Sequence, residues 1–242
     1  MRLREFVYLY EGIKLKSVQE IYAYACVVSE EYDKAPEYNE EAAKLYDLFY
    51  KSIEKMLKRA KSDVNINYTP DDPYSSPEEI GSDIIKNKNL DIYSGHSDHP
   101  VMSPDKNVAF RAVHDYFAHI GPNRKSKGSY KSHNFTLRGE YNAYLTHTRL
   151  APKATIPILF TEVVGQASYS AVVGEFPIQK ATILKGFDYI NLGIMDKEKT
   201  KRYHDILVKM KTGKINLNIN GGTIIDVKNI DWSTVATSGN RK

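Results

Sequence analysis

Apolar residues recur at helical spacing in the first third of the chain. In residues 17–33, "SVQEIYAYACVVSEEYD", they return every three or four positions, and Ser17 with Glu20 forms a capping-box pattern. Residues 39–61, "NEEAAKLYDLFYKSIEKMLKRAK", have Asn39 as N-cap, acidic residues in the first turn and basic residues in the last. The pattern predicts two helices that pack as an antiparallel hairpin.

The helical pattern then stops and returns. Residues 62–105 are rich in Pro, Asp, Ser and Gly and predict a long loop or linker, with a short helix at 77–86. Helices are predicted after it at 105–119, 136–150, about 153–174 and 196–211, with Pro157 in the first turn of the third or kinking it. A basic loop separates the first two.

The C-terminal part alternates like a pair of strands. "KINLNINGGTIIDV" turns at Asn220-Gly221-Gly222, which predicts a β-hairpin, and a polar tail follows it. The fold class predicted is mainly α: a helical bundle core with a small C-terminal β-hairpin and long loops. The predicted divisions are 1–61 (helical hairpin), 62–105 (loop or linker), 106–212 (helical core) and 213–242 (hairpin and extended tail).

Composition limits the chemistry. With one cysteine, Cys26, the chain can form neither an internal disulfide nor a cysteine-cluster zinc site, so a metal site must use His, Asp and Glu. The pattern predicts no membrane span and no secretory signal. The net charge is +4. The basic stretches 51–62 and 123–133 are interpreted as a solvated helix end and a solvated loop, with a nucleic-acid surface as the alternative.

The stretch 109–122, "AFRAVHDYFAHIGP", carries two histidines and an aspartate. At about 100° per residue, positions four apart share a helix face and positions five apart do not. Asp115 and His119 are therefore the expected pair, and His114 joins them only if the last turn near Gly121 is distorted. The spacing differs from the H-E-x-x-H pattern of zinc proteases.

Two later helices carry further ligand types. Glu140 and His147 share a face roughly 10 Å apart along the helix axis. One metal ion can be coordinated by both residues only if their side chains lean toward each other. Otherwise one residue binds the metal, and the other contacts that ligand without binding the metal. Glu162 and Gln166 lie four apart in an otherwise apolar helix, where a carboxylate needs a cation, a proton or hydrogen-bond partners.

Two readings of these residues stay open. In one, a divalent metal, zinc, manganese or iron, is bound by a cluster drawn from three helices. Its predicted ligands are His114, Asp115, His119, Glu140, His147 and Glu162, with Glu140 or Glu162 as general base. In the other, the same residues form a buried polar network without a metal. His96 and His99 are interpreted as exposed loop residues, with a loop that overlies the site as the alternative, His133 and His204 as surface residues, and Cys26 as core.

Four ordered motifs resemble a protein family from tailed bacteriophages. They are "NVAFRAVHDYFAH" (107–119), "GEYNAYLTH" (139–147), "TEVVGQ" (161–166) and "FPIQK" (176–180), and "DHPVMSPDKN" (98–107) upstream is also similar. The match covers about 98–185. Ala118 stands where the family has a glycine, and Ser168-Tyr169 where it has an aromatic after T-E-x-x-G-Q. The resemblance implies a phage origin and association with virion or co-delivered proteins.

Two functions follow as expectations. The first is a structural protein of the virion, at the neck or tail, made in the host cytoplasm and bound to other virion proteins or to copies of itself. The second is a metal-dependent hydrolase packaged or delivered with the virion, in which the metal activates water. The first is preferred at this point, because no clear nucleophile or base appears in the sequence.

Overall fold

The computed structural model describes residues 15–121 and 133–236, and it is mainly helical, as predicted. Its α-helices are α1 (Val18–Lys34), α2 (Glu40–Lys61), α3 (Pro77–Asn87), α4 (Pro104–His114), α5 (Leu137–His147), α6 (Ile156–Leu159), α7 (Gln166–Val173), α8 (Lys197–Thr212) and α9 (Trp232–Val235). Its strands are β1 (Asn65–Thr69), β2 (Asn89–Tyr93), β3 (Phe187–Asp188), β4 (Gly193–Ile194), β5 (Lys214–Leu217) and β6 (Thr223–Asp226). Two π-helical segments, Asp115–Ile120 and Phe160–Gly165, continue α4 and join α6 to α7.

The two N-terminal helices form where the sequence predicts them but do not pack as a separate hairpin. The capping box at Ser17 and Glu20 is present, and the Asn39 side chain caps α2. Helix α1 packs mainly against α7 and α8, whereas α2 packs mainly against α4. Because α1 is buried on nearly every side, it needs more than one partner, and a single hydrophobic cluster extends from Ile21 to Val235.

Residues 62–105 contain more regular structure than the predicted loop. Helix α3 confirms the short helix at 77–86. Strands β1 and β2 flank it and pair in parallel, with Asn65 opposite Asn89 and Thr69 opposite Tyr93. Strand β1 is polar and largely exposed, so it lacks the apolar alternation by which a strand is recognised. Its partner lies beyond a whole helix, and only the tertiary fold reveals the pairing.

The third core helix is continuous from residue 153 to residue 173 but changes its winding along the way. It starts as a 3₁₀ turn, Lys153–Thr155, and continues through α6, the π-segment and α7. Pro157 lies in the first turn of α6, as predicted. Among the described residues it is the one helix long and apolar enough to cross a membrane, and 61% of its most apolar window is buried inside the protein. It is the central core helix of this fold.

The C-terminal hairpin is confirmed. Strands β5 and β6 are antiparallel, and Asn220 and Gly221 adopt the positive φ values that a tight turn requires (51° and 79°). The predictions for most of the basic loop and for the end of the tail fall on residues 122–132 and 237–242, which lie outside the described residues.

Candidate metal centre

A π-helical turn brings His114 and His119 together. The π-segment Asp115–Ile120 ends where the Gly121 N–H donates to the Tyr116 carbonyl at 3.2 Å, a bond across five residues. In this winding, positions five apart meet on one face, and the ring centroids of the two histidines lie 4.9 Å apart. The α-helical spacing favours Asp115 as the partner of His119, whereas the three-donor cluster contains His114, and Asp115 interacts with His119 through its charge. The π-turn is the distorted last turn that His114 needs in order to face His119.

Helix α5 adds a carboxylate to the two imidazoles. The donor atoms of His114, His119 and Glu140 all lie within 4.8 Å of one another. The Nε2 atom of His119 is 3.3 Å from Oε1 of Glu140, and Nε2 of His114 is 3.7 Å from Oε2. Two histidines and one carboxylate form a ligand set that zinc and non-haem iron use in proteins. This buried three-donor cluster could hold a metal ion.

Hydrogen bonds behind the cluster orient its two histidines. His119 donates its Nδ1 proton to the backbone carbonyl of His133 at 2.7 Å, which leaves Nε2 facing Glu140. Metal-binding histidines are commonly held by such a bond on the other ring nitrogen. The Nε2 atom of His114 is buried and has no hydrogen-bond partner among the described residues, because 3.7 Å exceeds hydrogen-bond length. A cation at the cluster would satisfy this buried nitrogen.

His147 supports His114 instead of joining the cluster. It is wholly buried, its Nδ1 atom lies 3.2 Å from Nδ1 of His114, and its ring stacks on Phe110. Burial, with the neighbouring charge of His114, keeps the pKa of His147 well below its usual range, so the ring is neutral. Glu140 and His147 could both bind one metal, or one of them could bind it while the other contacts a ligand. The structure favours the second arrangement, in which Glu140 is in the cluster and His147 contacts the ligand His114.

The charges in the cluster are strongly coupled. Burial by itself would lower the pKa of His119, but the Glu140 carboxylate, together with Asp115 and the His133 carbonyl, raises it to about 9. Burial would raise the pKa of Glu140, yet His119 and His114 hold it well below its usual range. The metal-free protein therefore contains a His119–Glu140 ion pair at neutral pH, and a metal ion must displace the His119 proton to bind.

A cavity of about 450 Å³ opens beside the cluster. Its lining includes His114, Glu140 and Asp115, together with apolar side chains such as Phe110 and Phe135. Asp115 lies outside the three-donor cluster, although it was predicted as a ligand. Burial raises the pKa of Asp115, and the charges of His119 and His114 oppose that rise. The cluster thus has a concave, partly apolar space on one side.

Glu162 belongs to a different network. Its Oε1 atom accepts hydrogen bonds from the Tyr46 hydroxyl and from Nε2 of His99 at 3.0 Å, and its Oε2 atom accepts from the Gln166 amide at 2.9 Å. Three donors satisfy the buried carboxylate, which is how a charged group in an apolar helix is stabilised. Glu162 also lines the cavity, but the structure does not bring it into the metal-ligand cluster.

His99 is not the exposed loop residue that the sequence indicates. Its side chain is fully buried, and its Nδ1 atom accepts two backbone N–H bonds, from Val101 at 3.1 Å and Met102 at 2.9 Å. The ring proton must therefore be on Nε2, where it is donated to Glu162. The sequence signals for this role are the alternative of a loop that overlies the site and the upstream similarity around residues 98–107, whereas nothing in the sequence identifies Tyr46.

The remaining motif residues anchor the loop that carries His99. Arg111 donates to the backbone carbonyls of Tyr93, Gly95 and His96. Asn107 bridges the Ser97 carbonyl and Gln179, and Gln179 donates to the His96 carbonyl. The motif residues thus have two structural roles. One group forms the three-donor cluster and supports it, and the other holds residues 93–102 over the core.

Of the other candidates, His133 is half-buried, with its Nε2 atom 3.2 Å from the Thr146 hydroxyl, and three lie where the sequence predicts them. His96 and His204 are exposed, and Cys26 is buried in the core. Comparisons with protein-family models, with curated proteins and with solved structures found no match. The site is defined by its geometry alone, as a candidate mononuclear centre with two histidines and one glutamate.

Proposed function

We propose that the protein is a metal-dependent hydrolase whose divalent ion (zinc, manganese or iron) is held by His114, His119 and Glu140. The observation that carries the proposal is the convergence of the three donors beside a cavity that His114 and Glu140 line. Three protein ligands leave a coordination position for water or substrate, whereas structural zinc sites have four. A bound ion of this kind lowers the pKa of water and polarises a carbonyl or phosphoryl oxygen.

The surrounding residues have supporting roles in this proposal. The His133 carbonyl and His147 fix the orientations of His119 and His114. Glu140 serves as a ligand. Glu162, whose side chain is 1% exposed and accepts three hydrogen bonds, holds the loop in place instead of acting as a general base. Besides Glu140 and Glu162, the carboxylate of Asp115 also lines the cavity, next to the cluster.

A second candidate is the virion structural protein. What favours it is the position of the cluster between α4 and α5 inside the core, where an ion would fasten the two helices together. The phage origin, the virion location and the binding of other virion proteins or further copies rest on the motif resemblance alone. A mass-spectrometric inventory of purified virions tests this candidate: a fixed, symmetric copy number supports it.

The metal proposal is tested by elemental analysis and cobalt substitution. Purified protein is expected to contain about one divalent ion per chain, and His119→Ala is expected to lose it, while the exposed His204→Ala retains it. In cobalt-loaded protein, added azide or hydroxamate should change the visible spectrum if a coordination position is open. An unchanged spectrum would favour a structural ion, and a folded protein that binds no metal would overturn both metal-based functions.

A further inference from the structure

A groove runs between α2 and the turn that follows α5, away from the metal centre. It encloses about 480 Å³, and an adjoining hollow of about 290 Å³ shares Arg59, Phe117 and Leu150 with it. One side of the groove is the exposed face of α2, which carries Lys51, Lys55 and Arg59. Arg149 adds a fourth cation in the adjoining hollow.

The adjoining hollow also contains an acidic side chain, Asp63, which accepts a hydrogen bond from the Tyr116 hydroxyl in the part of the chain that the structure describes. None of Lys51, Lys55, Arg59 and Arg149 forms an ion pair there, and the Arg59 guanidinium lies 5.8 Å from the centre of the Phe117 ring. The three on α2 are spaced by four residues, about 6 Å along one helix face. Like charges at this spacing repel one another, so the row would be stabilised by a ligand with matching negative charges.

The floor of the groove is apolar. Leu48 is 44% exposed and Leu150 is 46% exposed, and both line the groove with Met56 and Pro152. An apolar floor beside a cationic rim matches the two faces of an amphipathic acidic segment. We propose that this groove binds an acidic amphipathic helix of a partner protein, with apolar residues on the floor and carboxylates four residues apart against the cationic row.

A nucleic-acid strand fits this surface less well. Grooves for single strands combine basic residues with exposed aromatic rings on which bases stack. The aromatic residue that lines this groove, Phe117, is only 9% exposed and has the Arg59 guanidinium near its ring. The exposed surface between the cations is aliphatic, which favours a protein helix.

The probe is a synthetic, fluorescently labelled helical peptide of about 20 residues, with Glu at every fourth position and Leu on the adjacent face. Binding to the full-length protein is measured by fluorescence anisotropy at two salt concentrations. We expect Lys51→Gln/Lys55→Gln to weaken binding about tenfold, and Leu150→Ser to weaken it as well. The matched control, Lys209→Gln/Lys211→Gln, removes the same charge from exposed positions on α8 and should leave binding unchanged. Circular dichroism checks that each variant is folded.

Several results would overturn the proposal. They are absence of peptide binding, equal binding of a scrambled peptide of the same composition, and equal weakening in the α8 control. Stronger binding of a single-stranded oligonucleotide with the same sensitivity to the α2 variant would assign the groove to nucleic acid. Self-association of the protein that the α2 variant abolishes, without peptide binding, would assign it to a second copy.

Discussion

The change Glu140→Gln removes the charge from a buried ion pair and nearly preserves the size of the side chain. The partner, His119, is 1% exposed, and the Glu140 side chain is 22% exposed, so solvent screens the pair little. The pKa of His119 is about 9 in the folded metal-free protein, against an ordinary value of 6.5. This difference corresponds to about 3 kcal/mol of folding free energy, as the net of burial, which lowers the pKa, and of Glu140, Asp115 and the His133 carbonyl, which raise it with Glu140 as the largest contributor.

The direction of the pH dependence follows from the two pKa values. The pKa of His119 is raised on folding, so its contribution is fully present below pH 6.5 and is lost as the pH rises through about 9. The pKa of Glu140 is lowered, so its contribution is present above its ordinary value of 4.5. Because Glu140 also faces His114, the His119 value is the better measure of this pair. The pair therefore contributes fully between pH 4.5 and 6.5.

Urea unfolding in the presence of a chelator measures this contribution, and the single tryptophan, Trp232, which packs on Tyr22, is the fluorescent reporter. At about pH 6, we expect Glu140→Gln to lower the free energy of unfolding by about 3 kcal/mol and the melting temperature by about 6–12 °C. At about pH 9.5 the difference should shrink to a small remainder. The exposed Glu54→Gln is the control. Equal destabilisation at both pH values would refute the ion-pair reasoning.

Three further predictions concern the centre and its surroundings. The change His147→Phe keeps a ring against Phe110 and should weaken zinc binding about 10- to 100-fold without changing the stoichiometry of binding. Unchanged zinc affinity in isothermal titration calorimetry would exclude a positioning role for His147. The change Tyr46→Phe removes one hydrogen-bond donor to Glu162 and should lower the free energy of unfolding by about 1–3 kcal/mol. Zinc binding should stay the same, and a loss of metal would contradict the separation of the Glu162 network from the metal-ligand cluster. Apparent zinc affinity should rise about tenfold per pH unit between about pH 7 and 9, because His119 must release its proton, and a flat profile would show that no proton is displaced.

The sequence predicts the local elements well because their signals are local. Capping residues at Ser17 and Asn39, the turn at Asn220-Gly221 and the position of Pro157 all match the structure. Gly139 lets the backbone of Asn134 approach closely, since a Cβ there would overlap the Asn134 carbonyl. What fails is the packing of α1 against α2 and the loop assignment of β1, because both depend on partners distant in sequence.

The candidate site divides in the same way. The sequence alone determines that a metal centre would use His, Asp and Glu, and that these lie on the three core helices. Only the tertiary structure selects His114, His119 and Glu140. A periodicity of 100° per residue assumes α-helical winding, and the π-turn at 115–120 replaces it with contacts across five residues. Glu162 accepts hydrogen bonds from Tyr46, on a helix, and from His99, in a loop, and both residues are more than 60 positions away in the sequence. The role of Glu162 is therefore decided by the fold.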